Sequence, residues 1–167
     1  MKNIVLIGMA GSGKSTLGVL LAKTLGMPFI DTDLIIQERE GKLLQDIIDS
    51  DGVTSFIKIE ENAVLSILVE GTVIATGGSV VYSSKAIMHL KEKGILIYLD
   101  LDFDEIEKRI KNMTTRGIAM EKGKTLRNIY DERIPLYEKY ADIIVDCNGK
   151  TMEENLEEIV KELKDRG

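Results

Sequence analysis

The residues best equipped for chemistry come at the start of the chain. Gly8-Met9-Ala10-Gly11-Ser12-Gly13-Lys14-Ser15-Thr16 fits G-x-x-x-x-G-K-[ST], with Gly8, Gly13, Lys14 and Ser15 in the required places. A polyphosphate can lie against backbone N–H groups only where no Cβ intrudes, which accounts for glycine at 8, 11 and 13. The start of the following helix adds unpaired donors and a favourable dipole. On this reading Gly11, Ser12, Gly13, Lys14, Ser15 and Thr16 hold a nucleotide. Lys14 reaches its β- and γ-phosphates, and the Ser15 hydroxyl completes the shell of a Mg²⁺.

Other residue clusters suit the same chemistry. Asp31 and Asp33 flank Thr32; phosphoryl transfer needs one carboxylate near Mg²⁺ and another group to orient or deprotonate the accepting hydroxyl. The plainer alternative for Asp33 is to cap the next helix. Gly77-Gly78 is either a tight turn or a backbone that a substrate or γ-phosphate can approach. Residues 111–124 lose all periodicity, are basic and contain glycine, and so read as a lid. Within it, Arg116 is either a solvated loop residue or a group that meets charge developing on the phosphoryl oxygens. Arg133, ahead of Ile134-Pro135-Leu136-Tyr137, reads by itself as a surface charge, and His89 is given no role.

These groups must be positioned by regular elements, and the apolar pattern supplies them. Buried strands are expected at 4–7, 29–30, 72–76, 95–99 and 143–145. Helical spacing covers 17–25, 34–40, 43–48, 53–69, 85–93, 103–110, 126–140 and 152–163, with Pro135 marking a kink or a new start. Strand and helix alternate without repeats or linkers, as in βαβ units around a five-stranded parallel sheet. Ligands of such sheets lie beyond the carboxyl ends of the strands. The polar clusters at 8–15, 31–33, 77–79 and 100 all fall there.

Composition narrows the function classes. A chain of 167 residues with 44% apolar and 30% charged residues fits one globular domain, 1–167. A net charge of −6 argues against a general nucleic-acid or membrane surface. The apolar runs are too short for a membrane span, and no signal-peptide pattern appears. One cysteine, Cys147, permits no internal disulfide, and with one histidine it makes a zinc site improbable. A cytoplasmic protein is expected.

Taken together, the motifs resemble the shikimate kinase family over essentially the whole length. The resemblance rests on 8–16, Phe29-Ile30-Asp31-Thr32-Asp33, Phe56 with Glu60, Thr76-Gly77-Gly78, Arg116 in the lid, and Arg133-Ile134-Pro135-Leu136-Tyr137. It implies a three-layer α/β P-loop kinase with strand order 2-3-1-4-5, helices on both faces, acceptor-binding helices at about 33–69, and MgATP as donor. By position, it implies that Asp31 lies near Mg²⁺, Asp33 meets the acceptor hydroxyls, and Gly77 and Gly78 line the acceptor. Arg133 would pair with the acceptor carboxylate, Arg116 would bridge phosphate and acceptor, and Arg109 would lie near the adenine.

Three departures concern the acceptor side. Ile57 stands where the family has an arginine that clamps the carboxylate, with Lys58 beside it but turned by about 100° on a helix. Ser79 replaces the third glycine of Gly-Gly-Gly, and Gly117-Ile118-Ala119 replaces Pro-Leu-Leu. Losing one charge-assisted contact costs roughly 1.5–3 kcal/mol, enough to change substrate preference. The sequence therefore specifies an ATP-dependent kinase of a small hydroxy acid, working as a monomer, with shikimate the leading acceptor. The rivals are a kinase of another hydroxy acid such as homoserine, where Ile57 forms an apolar wall, and a non-catalytic nucleotide-binding regulatory module. A GTPase switch would need an Asn-Lys-x-Asp motif that is not found.

Overall fold

The structure is a computed structural model, and it describes residues 1–113 and 117–167. Five strands, β1 (Asn3–Ile7), β2 (Phe29–Asp31), β3 (Val73–Ala75), β4 (Gly94–Asp100) and β5 (Ile143–Asp146), form one sheet in the order β2-β3-β1-β4-β5. Every pairing is parallel, with Val5 opposite Ile74 on one side and Leu96 on the other. All residues of β1 and β3 are buried, because helices cover both faces of a parallel sheet; this is why the strands read as unbroken apolar runs.

The helices are α1 (Lys14–Leu25), α2 (Thr32–Glu40), α3 (Leu44–Asp51), α4 (Val53–Leu65), α5 (Ser84–Lys93), α6 (Phe103–Lys111), α7 (Leu126–Tyr140) and α8 (Met152–Asp165). The main core joins the sheet to its flanking helices. A second, smaller core of Ile36, Leu44, Ile47, Ile48, Phe56, Ala63 and Ala119 ties α2, α3 and α4 to the segment after residue 117. The expected acceptor-binding helices therefore have a core of their own.

Several boundaries differ from expectation for local reasons. Helix α4 stops at Leu65 rather than Val69, because Ile67 N–H bonds Val64 O at 3.0 Å and Ser66 Oγ donates to Ala63 O at 2.6 Å, closing the last turn. His89 Nε2 then holds Ile67 O at 2.7 Å. Pro135 neither ends nor restarts α7, which begins with a Thr125/Asn128 capping box and runs unbroken through it. Residues 78–82, to which the sequence assigns no regular element, form a 3₁₀ helix. None of the described helices is long and apolar enough to cross a membrane.

The start of β1 is fastened by one side chain. Buried Asn3 donates from Nδ2 to Val69 O and accepts at Oδ1 from Thr72 N–H, both at 2.9 Å. Asn3→Ala should lower the unfolding free energy by about 1–3 kcal/mol, since it leaves buried backbone groups unpaired; urea denaturation reads the change directly. A loss below a few tenths would show the bond to be dispensable.

Candidate active site

The carboxyl ends of β1, β2 and β3 open onto a cavity of about 240 Å³, suited to a small molecule. The loop after β1 lines it with Ala10, Gly11 and Gly13 to Thr16. Asp33 enters from the first turn of α2, Leu44 from α3, and Phe56 and Glu60 from α4. Thr76 to Ser79 follow β3, Gly117 to Ala119 close one side, and Arg133 reaches in from α7.

Gly13 caps α1 with φ 96°, a left-handed conformation open to glycine, so the loop turns tightly into the helix. The buried Lys14 ammonium donates to the carbonyls of Gly8 (2.7 Å) and Met9 (2.8 Å), folded back on its own loop. Burial pulls its pKa down to about 8, against the opposing pull of Asp33. Ser15 Oγ donates to Asp31 Oδ2 at 2.7 Å, while Asp31 Oδ1 accepts from Asp33 N–H at 2.9 Å. Asp31, not Asp33, is thus the cap of α2, and the Asp33 carboxyl is left for the cavity.

Across the cavity the glycine pair decides how closely charged groups approach. A Cβ on Gly77 would lie 2.7 Å from Glu60 Oε2 and 2.8 Å from Asp33 Oδ1; one on Gly78 would lie 2.8 Å from Arg133 Nη1. A side chain at either position would displace these charged groups of the cavity lining. Burial, then the neighbouring Asp31, pushes Asp33 up to about 6, and Lys14 works against this. Burial also pushes Glu60 up to about 7, although Ser79 Oγ donates to its Oε1 at 2.7 Å. Arg133 is only 1% exposed. It donates from Nη2 to Ala119 O at 2.8 Å and from Nε to the Tyr82 hydroxyl at 3.3 Å. The Tyr137 hydroxyl donates to Gly78 O at 2.6 Å and fixes the glycine backbone.

Most residues singled out from the sequence meet in this one place, with some corrections. Arg133 is deeply buried, not a surface charge, because Ala119 O and the Tyr82 hydroxyl, both distant in sequence, accept its guanidinium donors inside the fold. Arg109 stands outside, donating from Nη1 to Gly11 O at 3.1 Å. It borders a second cavity with Asp102, Cys147, Asn148 and Lys150 on the far side of the phosphate loop. Asp100 does not line the main cavity; its carboxylate accepts from the Tyr98 hydroxyl at 3.3 Å. Arg116 lies outside the described residues. Ile57 is half-buried and is not part of the cavity wall, so it does not form the apolar wall considered above. Lys58 is 65% exposed and pairs with Glu61 at 2.7 Å, away from the site.

Two residues gained a place that residue spacing alone had not given them. Glu60 carried a signal: it falls on the buried stripe of α4 with Phe56, Ala63 and Val64, an acidic residue among apolar ones. Ser79 appeared only as a departure from a glycine. Gly117 explains another departure, since φ 49° and an N–H donated to Gln45 Oε1 at 3.1 Å are both impossible for proline.

A parallel sheet in this order, with a Gly-rich loop cradling a lysine at the end of β1, defines a P-loop kinase. The shikimate kinase family profile matches residues 10–164. The chain is 34% identical over 167 residues to the shikimate kinase of Sulfurihydrogenibium sp. (strain YO3AOP1), covering 99% of this chain and 100% of that one. It is 38% identical over 165 residues to that of Thermodesulfovibrio yellowstonii, covering 97% and 95%. Shikimate kinase from Acinetobacter baumannii in complex with shikimate superposes with a TM-score of 0.84 at 25% identity, covering 99% and 94%. The Aquifex aeolicus shikimate kinase gives 0.82 at 33%, covering 98% and 97%. The chain belongs to the shikimate kinase family.

Glu60 gives the site a measurable pH signature. Its folded pKa, about 7, lies above the ordinary 4.5, so the unfolded carboxyl ionises first and the fold loses stability as pH rises through this window. Glu60→Gln should therefore leave stability near pH 4 little changed and raise it at pH 8, by up to the order of 3 kcal/mol. Urea unfolding at both pH values measures this. An equal difference at pH 4 and pH 8 would contradict it.

Proposed function

We propose that the chain transfers the γ-phosphoryl group of ATP to a hydroxyl of shikimate. The observation that carries the reading is the cavity itself, where a carboxylate and a guanidinium face each other across Gly77-Gly78 beside the phosphate-loop lysine. The phosphate chain lies along Gly11 to Thr16, and Lys14 leaves its loop carbonyls to meet the β- and γ-phosphates. The base side of the nucleotide occupies the second cavity, bordered by Arg109. Ser15 Oγ and Asp31 Oδ2 are hard oxygen donors 2.7 Å apart beside the loop, which fits Mg²⁺. A Mg²⁺ held there would neutralise charge on the β- and γ-phosphate oxygens.

On the acceptor side Asp33 orients the hydroxyl and takes its proton, while Arg133 pairs with the carboxylate. The glycine backbone of 77 and 78 lets the ring of the acceptor lie against it. Arg116 is assigned to the transferring phosphate. The domain spans 1–167, with the lid at 111–124, and works as a monomer in the cytoplasm.

A coupled ADP-release assay with shikimate and homoserine tests the reading: shikimate should be the faster acceptor, and faster turnover of homoserine would refute it. Asp33→Asn should lower kcat by 10²-fold or more with nucleotide affinity nearly unchanged. In wild type, activity should rise with pH through about 6, since a base works only when deprotonated and Asp33 ionises there. Asp33→Asn weakening nucleotide binding as much as Asp31→Asn would show that the two carboxylates are wrongly assigned. Lys14→Ala should abolish turnover in a folded protein; near-normal turnover would rule out its phosphate role.

A further inference from the structure

Two departures from the family pattern lie near one carboxyl group, that of Glu60: Ser79 bonds it, and Ile57 stands three residues before it on α4. Ser79 is 4% exposed, in the first turn of the 3₁₀ helix, and its Oγ donates to Glu60 Oε1 at 2.7 Å. Position 57 is one helical turn before Glu60 on α4, and residues three apart are neighbours on a helix surface. An arginine at 57 would therefore reach this same carboxyl. In this chain residue 57 is apolar, and a hydroxyl from another element takes hold of Glu60 instead.

The other oxygen of Glu60 converges with Asp33 over Gly77 in the cavity. Glu60 Oε2 is buried and has no hydrogen-bond partner among the described residues. The point occupied by a Cβ built on Gly77 lies within 3 Å of both Glu60 Oε2 and Asp33 Oδ1, so the two carboxyls converge from α4 and α2. Glu60 has three rotatable side-chain bonds and, among the described residues, one hydrogen-bond anchor, the Ser79 hydroxyl. Without that anchor its carboxyl is free to turn away from Asp33.

We propose that Ser79 is a positioning residue of the acceptor site: its hydroxyl fixes Glu60 so that Oε2 stands beside Asp33 and accepts a hydrogen bond from a second hydroxyl of the acceptor. The inference rests on the reading of the cavity as the acceptor site. Ser79 and Ile57 are then one coupled change, in which a neutral donor holds Glu60 where a cation at 57 would be within reach to hold it by charge. The anchor also affects ionisation. Glu60 faces Asp33 from α2, Lys14 from the phosphate loop and Arg133 from α7; Asp33 favours its protonated form, whereas Ser79, Arg133 and Lys14 favour the carboxylate. Removing the Ser79 hydroxyl therefore shifts Glu60 towards the protonated form, which gives up an acceptor lone pair.

Steady-state kinetics of Ser79→Gly, Ile57→Arg and the double variant test the proposal. Ser79→Gly should raise KM for shikimate about tenfold, change kcat less than threefold and leave KM for ATP unchanged. The pH at which KM for shikimate improves should also move upward. Ile57→Arg should lower KM for shikimate by a larger factor in the Ser79→Gly background than in wild type, so the two effects do not add. An unchanged shikimate KM in Ser79→Gly, or an Ile57→Arg effect equal in both backgrounds, overturns the proposal. The isosteric pair Ser79→Thr and Ser79→Val keeps it testable if Ser79→Gly unfolds. Threonine should hold KM near wild type and valine should raise it, and equal values overturn it. Wild type that ignores shikimate would refute the acceptor reading together with this one, whereas wild type active on shikimate with Ser79→Gly indistinguishable from it refutes this one alone.

Discussion

Four ionisable side chains, largely removed from solvent, share one cavity, and their charges answer one another. Lys14 comes from the phosphate loop, Asp33 from α2, Glu60 from α4 and Arg133 from α7. A lone charge moved into such a place costs several kcal/mol and tends to neutralise instead. Here Asp33 works against the loss of the proton from Lys14, and Lys14 works against the protonation of Asp33. No one element could supply this balance. The sheet order, which sets the ends of β2, β3 and β1 side by side, is what makes it possible.

Much of this was legible in the sequence, because its strongest signals are local. Strand, glycine loop and helix are contiguous around Lys14, and β1 to β5 announce themselves as short apolar runs between turn residues. Helix ends were less readable: α4 ends at Leu65 through bonds made by Ser66 and through the grip of His89 on Ile67, and that histidine is distant in sequence. The cap of α2 is misplaced when read from the sequence, where Asp33 is the candidate; the structure gives that part to Asp31, whose other oxygen accepts from the Ser15 hydroxyl. The burial of Arg133 could not be read from its neighbours, since its partners Tyr82 and Ala119 lie far along the chain.

The two halves of the site differ in how far they keep to the family pattern. Along the phosphate loop, Gly8, Gly13, Lys14 and Ser15 keep the motif spacing. Around residue 117 the departures come with contacts of their own. Glycine at 117 comes with a left-handed backbone, an amide bonded to Gln45 and close approach to Leu44. Ile118 and Ala119 are buried beside it, one in each core cluster. That end of the expected lid is therefore part of the packed interior.

The bond from Arg133 Nη2 to the carbonyl of Ala119 has a thermodynamic corollary. The same guanidinium that faces the cavity also fixes the backbone of the segment that closes one side of it. Whatever draws Arg133 towards a bound anion changes the environment of Ala119, and whatever displaces Ala119 changes the donor geometry offered to that anion. Such linkage is reciprocal by necessity: occupancy of the cavity biases the position of the segment by the same free energy with which the segment biases occupancy. Anion affinity and the placing of Ala119 in this protein are thus not separately adjustable quantities, because both run through one side chain.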